Sequence, residues 1–167
     1  MTNPFWGNIF HQENDPHNLK TEDFLVKIPL FANLTRKEAK KVANIVHERI
    51  YQEGEFMFKQ GHPGAAMFII KTGVVDIVLP RDNAPDIQLA QLGAGSFLGE
   101  LALLDDSPRS ASAMIKEEAF AYAFFRTDLN KLIETDPGVG SKILKELALI
   151  IGQRLKATNV QLTKAEK

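Results

Sequence analysis

The feature that most restricts the fold is a change of period near residue 46. Before it, apolar residues recur at helical spacing. After it, short apolar runs alternate with glycine-bearing turns as far as residue 125. Gly54, Gly61, Gly73, Gly93 and Gly95 punctuate Phe56-Met57-Phe58, Met67-Phe68-Ile69-Ile70, the stretch 74–79 and the trio Ile87, Leu89 and Leu92. Lys71-Thr72-Gly73 reads as a turn between two of these runs. Further strands are expected over 110–115 and 119–125. Short strands at intervals of roughly ten residues predict an antiparallel barrel or jelly roll.

Helices flank this block. Thr21 reads as the cap of a first helix, with Glu22 and Asp23 in its first turn. Ile28-Pro29 breaks that helix, and Thr35 with Glu38 fits a capping box for a second. Downstream, Asp128 opens a helix through Leu129, Leu132 and Ile133 that closes at Asp136-Pro137-Gly138. The longest helical pattern covers 139–163. Leu144, Ala148, Ile151, Leu155, Thr158 and Leu162 form a heptad seam, and Ile143, Leu147 and Ile150 form a second stripe beside it. One stripe can face the barrel and the other a second copy of the chain; the alternative is that both cover one core.

The expected organisation is an N-terminal arm over 1–18, a domain over 19–163 and a tail over 164–167. The domain divides into a helical lead-in (19–46), the β-rich part (47–126) and C-terminal helices (127–163). The arm carries Phe5, Trp6, Ile9 and Phe10, which suit packing on its own domain or a second copy, or docking to an unidentified protein partner.

The 167 residues contain no cysteine, which excludes disulfides, thiolate metal sites and a cysteine nucleophile. A net charge of −1 gives no electrostatic footprint for duplex DNA or an anionic membrane. No apolar run is long enough for a membrane span and no signal peptide is evident, so the expected location is cytoplasmic. The histidines His11, His17, His47 and His62 lack metal-ligand spacing, and no Walker loop, nucleophile elbow or kinase signature occurs. The expectation is a protein that is not an enzyme and holds no metal.

The chemistry concentrates in 97–112. A glycine, Gly99, opens a short apolar helix predicted over 99–104. Asp105, Asp106 and Ser107 favour a tight reversal, and Pro108 delivers Arg109 back beside the helix start. Backbone N–H groups on one side and a guanidinium on the other make an anion site. Glu100 adds an acceptor suited to a sugar hydroxyl. The alternative is an internal Glu100–Arg109 ion pair.

Gly99-Glu100-Leu101-Ala102-Leu103 followed by Pro108-Arg109-Ser110-Ala111-Ser112 resembles the phosphate-binding cassette of cyclic nucleotide-binding domains. The resemblance covers about residues 20–162. It implies a β-roll with helical lead-in, a short cassette helix and a long C-terminal helix. It also implies ligand contacts within 99–111: Glu100 to the ribose 2′-OH, Arg109 to the cyclic phosphate, backbone amides at Ala102 and Ser110 to the same phosphate, and Gly99 at the ribose, with Leu101 and Ala111 beside them. Ala65-Ala66 stands where the family often carries acidic residues, remote from the cassette.

The segment 154–159 resembles the part of the long helix that meets the purine in the catabolite-activator type, which assigns base contacts to Thr158 and Asn159. That type dimerises through this helix and continues into a helix-turn-helix domain. The chain's end at Lys167 leaves the expectation of no DNA-binding element. The ligand implied is cAMP or cGMP. Ser110 does not discriminate between them, and the Thr158-Asn159 pair favours cAMP. The readings carried forward are a cyclic nucleotide sensor in which cassette ordering moves the C-terminal helix, a nucleotide-free dimerisation module, and the sensor half of a larger regulator.

Overall fold

The computed structural model describes residues 19–165, with side chains through residue 160. The arm over 1–18 and residues 166–167 lie outside the described residues. The helical lead-in comprises α1 (Thr21–Leu25), a 3₁₀ turn (Pro29–Phe31) and α2 (Arg36–Ala43). Six strands follow: β1 (His47–Tyr51), β2 (Phe56–Phe58), β3 (Ala66–Leu79), β4 (Ile87–Leu92), β5 (Phe97–Leu98) and β6 (Ser112–Phe125). A 3₁₀ turn over Glu100–Leu103 lies between β5 and β6, and α3 (Arg126–Thr135) and α4 (Pro137–Ala165) end the chain.

All pairings are antiparallel. The order is β1-β6-β3-β4, with β2 also on β6 and β5 also on β3. The path has two ends, so the sheet does not close into the barrel predicted from strand spacing. The reason is strand length. β3 and β6 run 14 residues each and pair with one another almost throughout. Lys71-Thr72-Gly73 is therefore not a turn but an irregularity inside β3, where the register with β6 shifts three times between Ile70 and Val75. Gly73 is required there: its φ is +90°, and a Cβ would lie 2.2 Å from the Glu118 carbonyl oxygen. The strand bends instead of ending.

The period-2 alternation divides the core between two faces. Met67, Ile69, Tyr122 and Phe124 point to the helices and pack with Phe24, Phe31, Leu129 and Ile143. Phe68, Ile70, Ala121 and Ala123 point the other way, into the roll, with Leu92, Leu98 and Ile115. Burial on both faces explains the unbroken apolar run at 67–70.

Local capping rules hold at α2 and fail at α1. Thr35 and Glu38 form the complete capping box. Thr21 does not cap α1; Lys20 holds the N-cap position without a side-chain bond, and the Thr21 hydroxyl lies 3.1 Å from the Tyr122 hydroxyl. A partner 101 residues away in sequence claims the oxygen that local reasoning gave to the helix. Asp136 ends α3 and starts α4 together: its carbonyl accepts from Gly140 N–H at 3.0 Å and its carboxylate from Val139 N–H at 3.3 Å. The long helix thus starts at Pro137 and continues to Ala165, past the expected tail boundary. α3 likewise begins at Arg126, ahead of the expected Asp128.

On α4 the stripe Ile143, Leu147 and Ile150 is buried against the helical cluster. The neighbouring seam is divided: Leu144 and Ile151 are partly buried against the same cluster, whereas Ala148 and Thr158 are exposed and Leu155 retains 60% of its surface. Among the described residues no helix is long and apolar enough to cross a membrane.

Candidate functional site

The segment after β5 turns on Gly99, which sits in the left-handed region at φ +73°. A Cβ there would lie 2.3 Å from Arg109 Nη1, so the position needs glycine for conformation and for space. The short helix expected over 99–104 is a 3₁₀ turn over Glu100–Leu103. This matters for the Ala102 amide. A 3₁₀ turn closes an i+3 bond, and Ala102 N–H donates to Gly99 O at 3.1 Å. The amide assigned to a phosphate is engaged within the turn in this structure.

Arg109 returns as predicted but is held by more than the reversal. Asp105 Oδ1 accepts from Ser107 N–H at 3.0 Å, the local turn read from sequence. The loop 60–63 then secures the returning chain. Arg109 N–H donates to His62 O at 2.8 Å, Gly61 N–H donates to Arg109 O at 2.9 Å, and Pro63 bridges Pro108. Gln60 completes the brace, donating from its side chain to Ser110 O and from its backbone to Ser112 Oγ.

The guanidinium of Arg109 lies in a carbonyl and aromatic environment. Nη2 donates to Ala66 O at 2.6 Å and Nη1 to Gly99 O at 3.3 Å, while the group stacks 4.2 Å from the Phe58 ring centroid. Its Nε is buried with no hydrogen-bond partner among the described residues. Burial pushes the Arg109 pKa down, and the Glu100 charge pulls the other way. The cation is thus only partly compensated.

Glu100 is buried, 7% exposed, and its ion pair is with Arg154 on α4 rather than with Arg109. Arg154 also stacks 5.0 Å from the Phe97 ring centroid. The internal Glu100–Arg109 pair is therefore not what forms. Sequence reasoning gave Arg154 no role. Its signal was helical spacing: four residues before Thr158, it shares the face that meets the site.

These groups surround a cavity of about 610 Å³. Gly99, Glu100, Leu101 and Ala102 line it from one side, and Arg109, Ser110 and Ala111 from another. α4 closes the wall with Arg154, Ala157 and Thr158. Asn159 is exposed and outside this wall, because the residue after Thr158 lies about 100° further around the helix. His47 lies on β1, 3.1 Å from Asp128, and His62 is in the turn before Pro63. Neither lines the cavity, and no group of three or more metal-ligating side chains occurs among the described residues.

A rolled sheet whose cavity is shared by a buried carboxylate, a part-compensated arginine and the flank of a long helix defines a cyclic nucleotide-binding regulatory domain. Residues 48–136 match the family model of the cyclic nucleotide-binding domain, and the chain belongs to that family. It is 33% identical over 134 residues to the cyclic AMP receptor protein of Thermus thermophilus, covering 80% of this chain and 60% of that one. It is 30% identical over 118 residues to the cAMP-dependent protein kinase regulatory subunit of Colletotrichum orbiculare, covering 71% of this chain and 29% of that one. The crystal structure of Thermus thermophilus catabolite activator protein superposes with a TM-score of 0.74 at 31% identity, covering 83% of this chain and 63% of that one. The chain thus spans 60% or less of the length of these two curated relatives.

Proposed function

We propose that this chain is a cyclic nucleotide sensor that prefers cAMP to cGMP and transmits occupancy through α4. The observation that carries the reading is Arg109, a part-buried cation whose buried Nε has no partner among the described residues, on the wall of a cavity that also holds a buried carboxylate. A cyclic phosphate supplies the anion that the guanidinium lacks, and the ribose 2′-OH donates to Glu100. The places of Gly99, Leu101, Ala102, Ser110 and Ala111 on the same wall support the contacts that the family resemblance implies for them.

Two features support coupling. Gly99 O accepts from both Ala102 N–H and Arg109 Nη1, so one carbonyl occupies two donors that a phosphate would take. Capture of the phosphate then requires the 3₁₀ turn to reorder. The Glu100–Arg154 pair supports the second step, because any change at Glu100 is felt on α4.

The base preference rests on Thr158. Its hydroxyl donates to Arg154 O at 3.0 Å, which leaves its lone pairs to accept. An acceptor suits the adenine amine and not the guanine carbonyl oxygen. Asn159 contributes from a second copy in this reading. Exposed apolar side chains on α4, Leu155 of the seam together with Leu149 and Val160, support a homodimer through that helix. The lengths of the relatives support a place for this domain as the sensor half of a larger regulator.

The test is thermal unfolding of the full chain with cAMP, cGMP and linear AMP. A ligand at 100 times its dissociation constant adds about 2.7 kcal/mol, which at this size raises Tm by roughly 5–11 °C. cAMP should give the largest shift. No shift with either cyclic nucleotide at millimolar concentration refutes the sensor reading and leaves the nucleotide-free dimerisation module.

A further inference from the structure

Three successive carbonyls, those of Gly64, Ala65 and Ala66, enter β3 beside the cassette. All three are held by arginines. Ala66 O accepts from Arg109 Nη2 at 2.6 Å, Ala65 O from the Arg126 backbone N–H at 2.9 Å, and Gly64 O from Arg126 Nη1 at 3.3 Å. The same Arg126 Nη1 also reaches Ala102 O at 3.1 Å. Arg126 is the first residue of α3. One part-buried guanidinium therefore joins the strand entrance, the 3₁₀ turn of the cassette and the start of the helix that leads into α4.

The need for such a group follows from the turn. A 3₁₀ segment of four residues leaves its last carbonyls without intrahelical partners. Ala102 is buried, so its carbonyl must find a donor from elsewhere in the fold. A charged donor supplies a stronger bond than a neutral one. Asp105, just past the turn, adds an opposite charge within electrostatic reach of Arg126.

We propose that Arg126 is the positioning residue that fastens the cassette to the first turn of α3, so that displacement of either one displaces the other. Arg126 does not line the cavity. It acts through Ala102 and through the rail of carbonyls that it shares with Arg109. The link to nucleotide capture rests on the reading of the cavity given above; the mechanical fastening does not.

The test uses the full chain with Arg126→Gln and Arg126→Lys. Amide hydrogen exchange is first measured without nucleotide. The amides of Ala102, Leu104 and Asp105, all bonded within the turn, should exchange about tenfold faster in Arg126→Gln, corresponding to loss of one charge-assisted bond. Amides of the core strand residues Tyr122 and Phe124 should keep their wild-type rates. Arg126→Lys, which retains a charged donor, should fall between. Cassette amides at the wild-type rate, or uniform acceleration of every amide, overturns the proposal. The second measurement is the dissociation rate of cAMP, expected to rise about tenfold in Arg126→Gln with Arg109 intact. An unchanged rate overturns the coupling to capture. If the wild-type chain binds no cyclic nucleotide while the exchange pattern holds, the nucleotide reading fails and the fastening role stands.

Discussion

Arg109→Leu separates binding from folding. The side chain makes two hydrogen bonds to carbonyls, stacks on Phe58 and leaves Nε buried without a partner. Removing it from the nucleotide-free protein deletes those contacts but also removes a cation that burial disfavours. The opposing terms leave a net change within about 1 kcal/mol, or roughly 2–4 °C in Tm. Binding behaves differently. A charge-assisted bond to the phosphate contributes about 1.5–3 kcal/mol, so the affinity for cAMP should fall by roughly 12- to 160-fold. At a nucleotide concentration 100 times the wild-type dissociation constant, the wild type gains about 2.7 kcal/mol. A variant weakened tenfold gains about 1.4 kcal/mol, and one weakened a hundredfold only about 0.4 kcal/mol. Paired melts with and without cAMP, with calorimetric titration of each protein, read both effects. Unchanged affinity in a folded variant refutes the phosphate assignment. A nucleotide-free melt lowered by 10 °C or more, against the few degrees expected, refutes the idea that the cation is only partly compensated.

Two further predictions test how the site is held to the helices. In a double-mutant cycle of Glu100→Gln and Arg154→Met, urea unfolding should give a coupling of about 1.5–3 kcal/mol, because the two side chains are only 9% and 19% exposed; a coupling below about 0.3 kcal/mol removes the pair as a link to α4. The second concerns pH. The Lys142 ammonium and Thr35 N–H hold the Glu38 carboxyl below its usual range, and Lys41 and the Val139 N–H do the same for Asp136. Depressed pKa values stabilise the fold above the ordinary carboxylate range, and that contribution disappears as pH falls through the folded-state values. Tm should therefore decline on acidification from about pH 5 toward pH 3, with a shallower slope in Glu38→Gln/Asp136→Asn. Parallel slopes in wild type and variant exclude these pairs as the source.

What could be read from the chain divides by sequence distance. The capping box at Thr35 and Glu38 and the reversal at Asp105 and Ser107 are complete within four residues, and both form. Gly73 shows the limit of local reading. Glycine signals a special backbone conformation, but whether that serves a turn or a bend within a strand depends on the facing chain, here Glu118 and Ala119. Thr21 gives its hydroxyl to Tyr122, and Glu100 its carboxylate to Arg154; both partners are chosen by the tertiary fold. The return of Arg109 beside Gly99 was legible because the turn that delivers it is local. The engaged Ala102 amide was not, because α and 3₁₀ turns share composition and differ in which donor is used first.

The distribution of burial along α4 sharpens what the proposed coupling requires. From Val139 to Ile150 the helix is anchored by a buried stripe in the helical cluster. From Ile151 to Val160 no residue is fully buried, and the contacts with the cavity come from Arg154, Ala157 and Thr158. Gly152 stands at the junction, with no atom within 4 Å of a Cβ built there. A helix-interior glycine with no packing reason lowers local helix stability by about 1 kcal/mol. The anchored half therefore fixes the helix to the domain, while the distal half is held chiefly at the cavity. A ligand that changes the partners of Glu100 acts on the distal half directly and on the anchored half only through the backbone. The movement most compatible with this architecture is a reorientation of α4 beyond Ile150, with the packing of Ile143 and Leu147 retained.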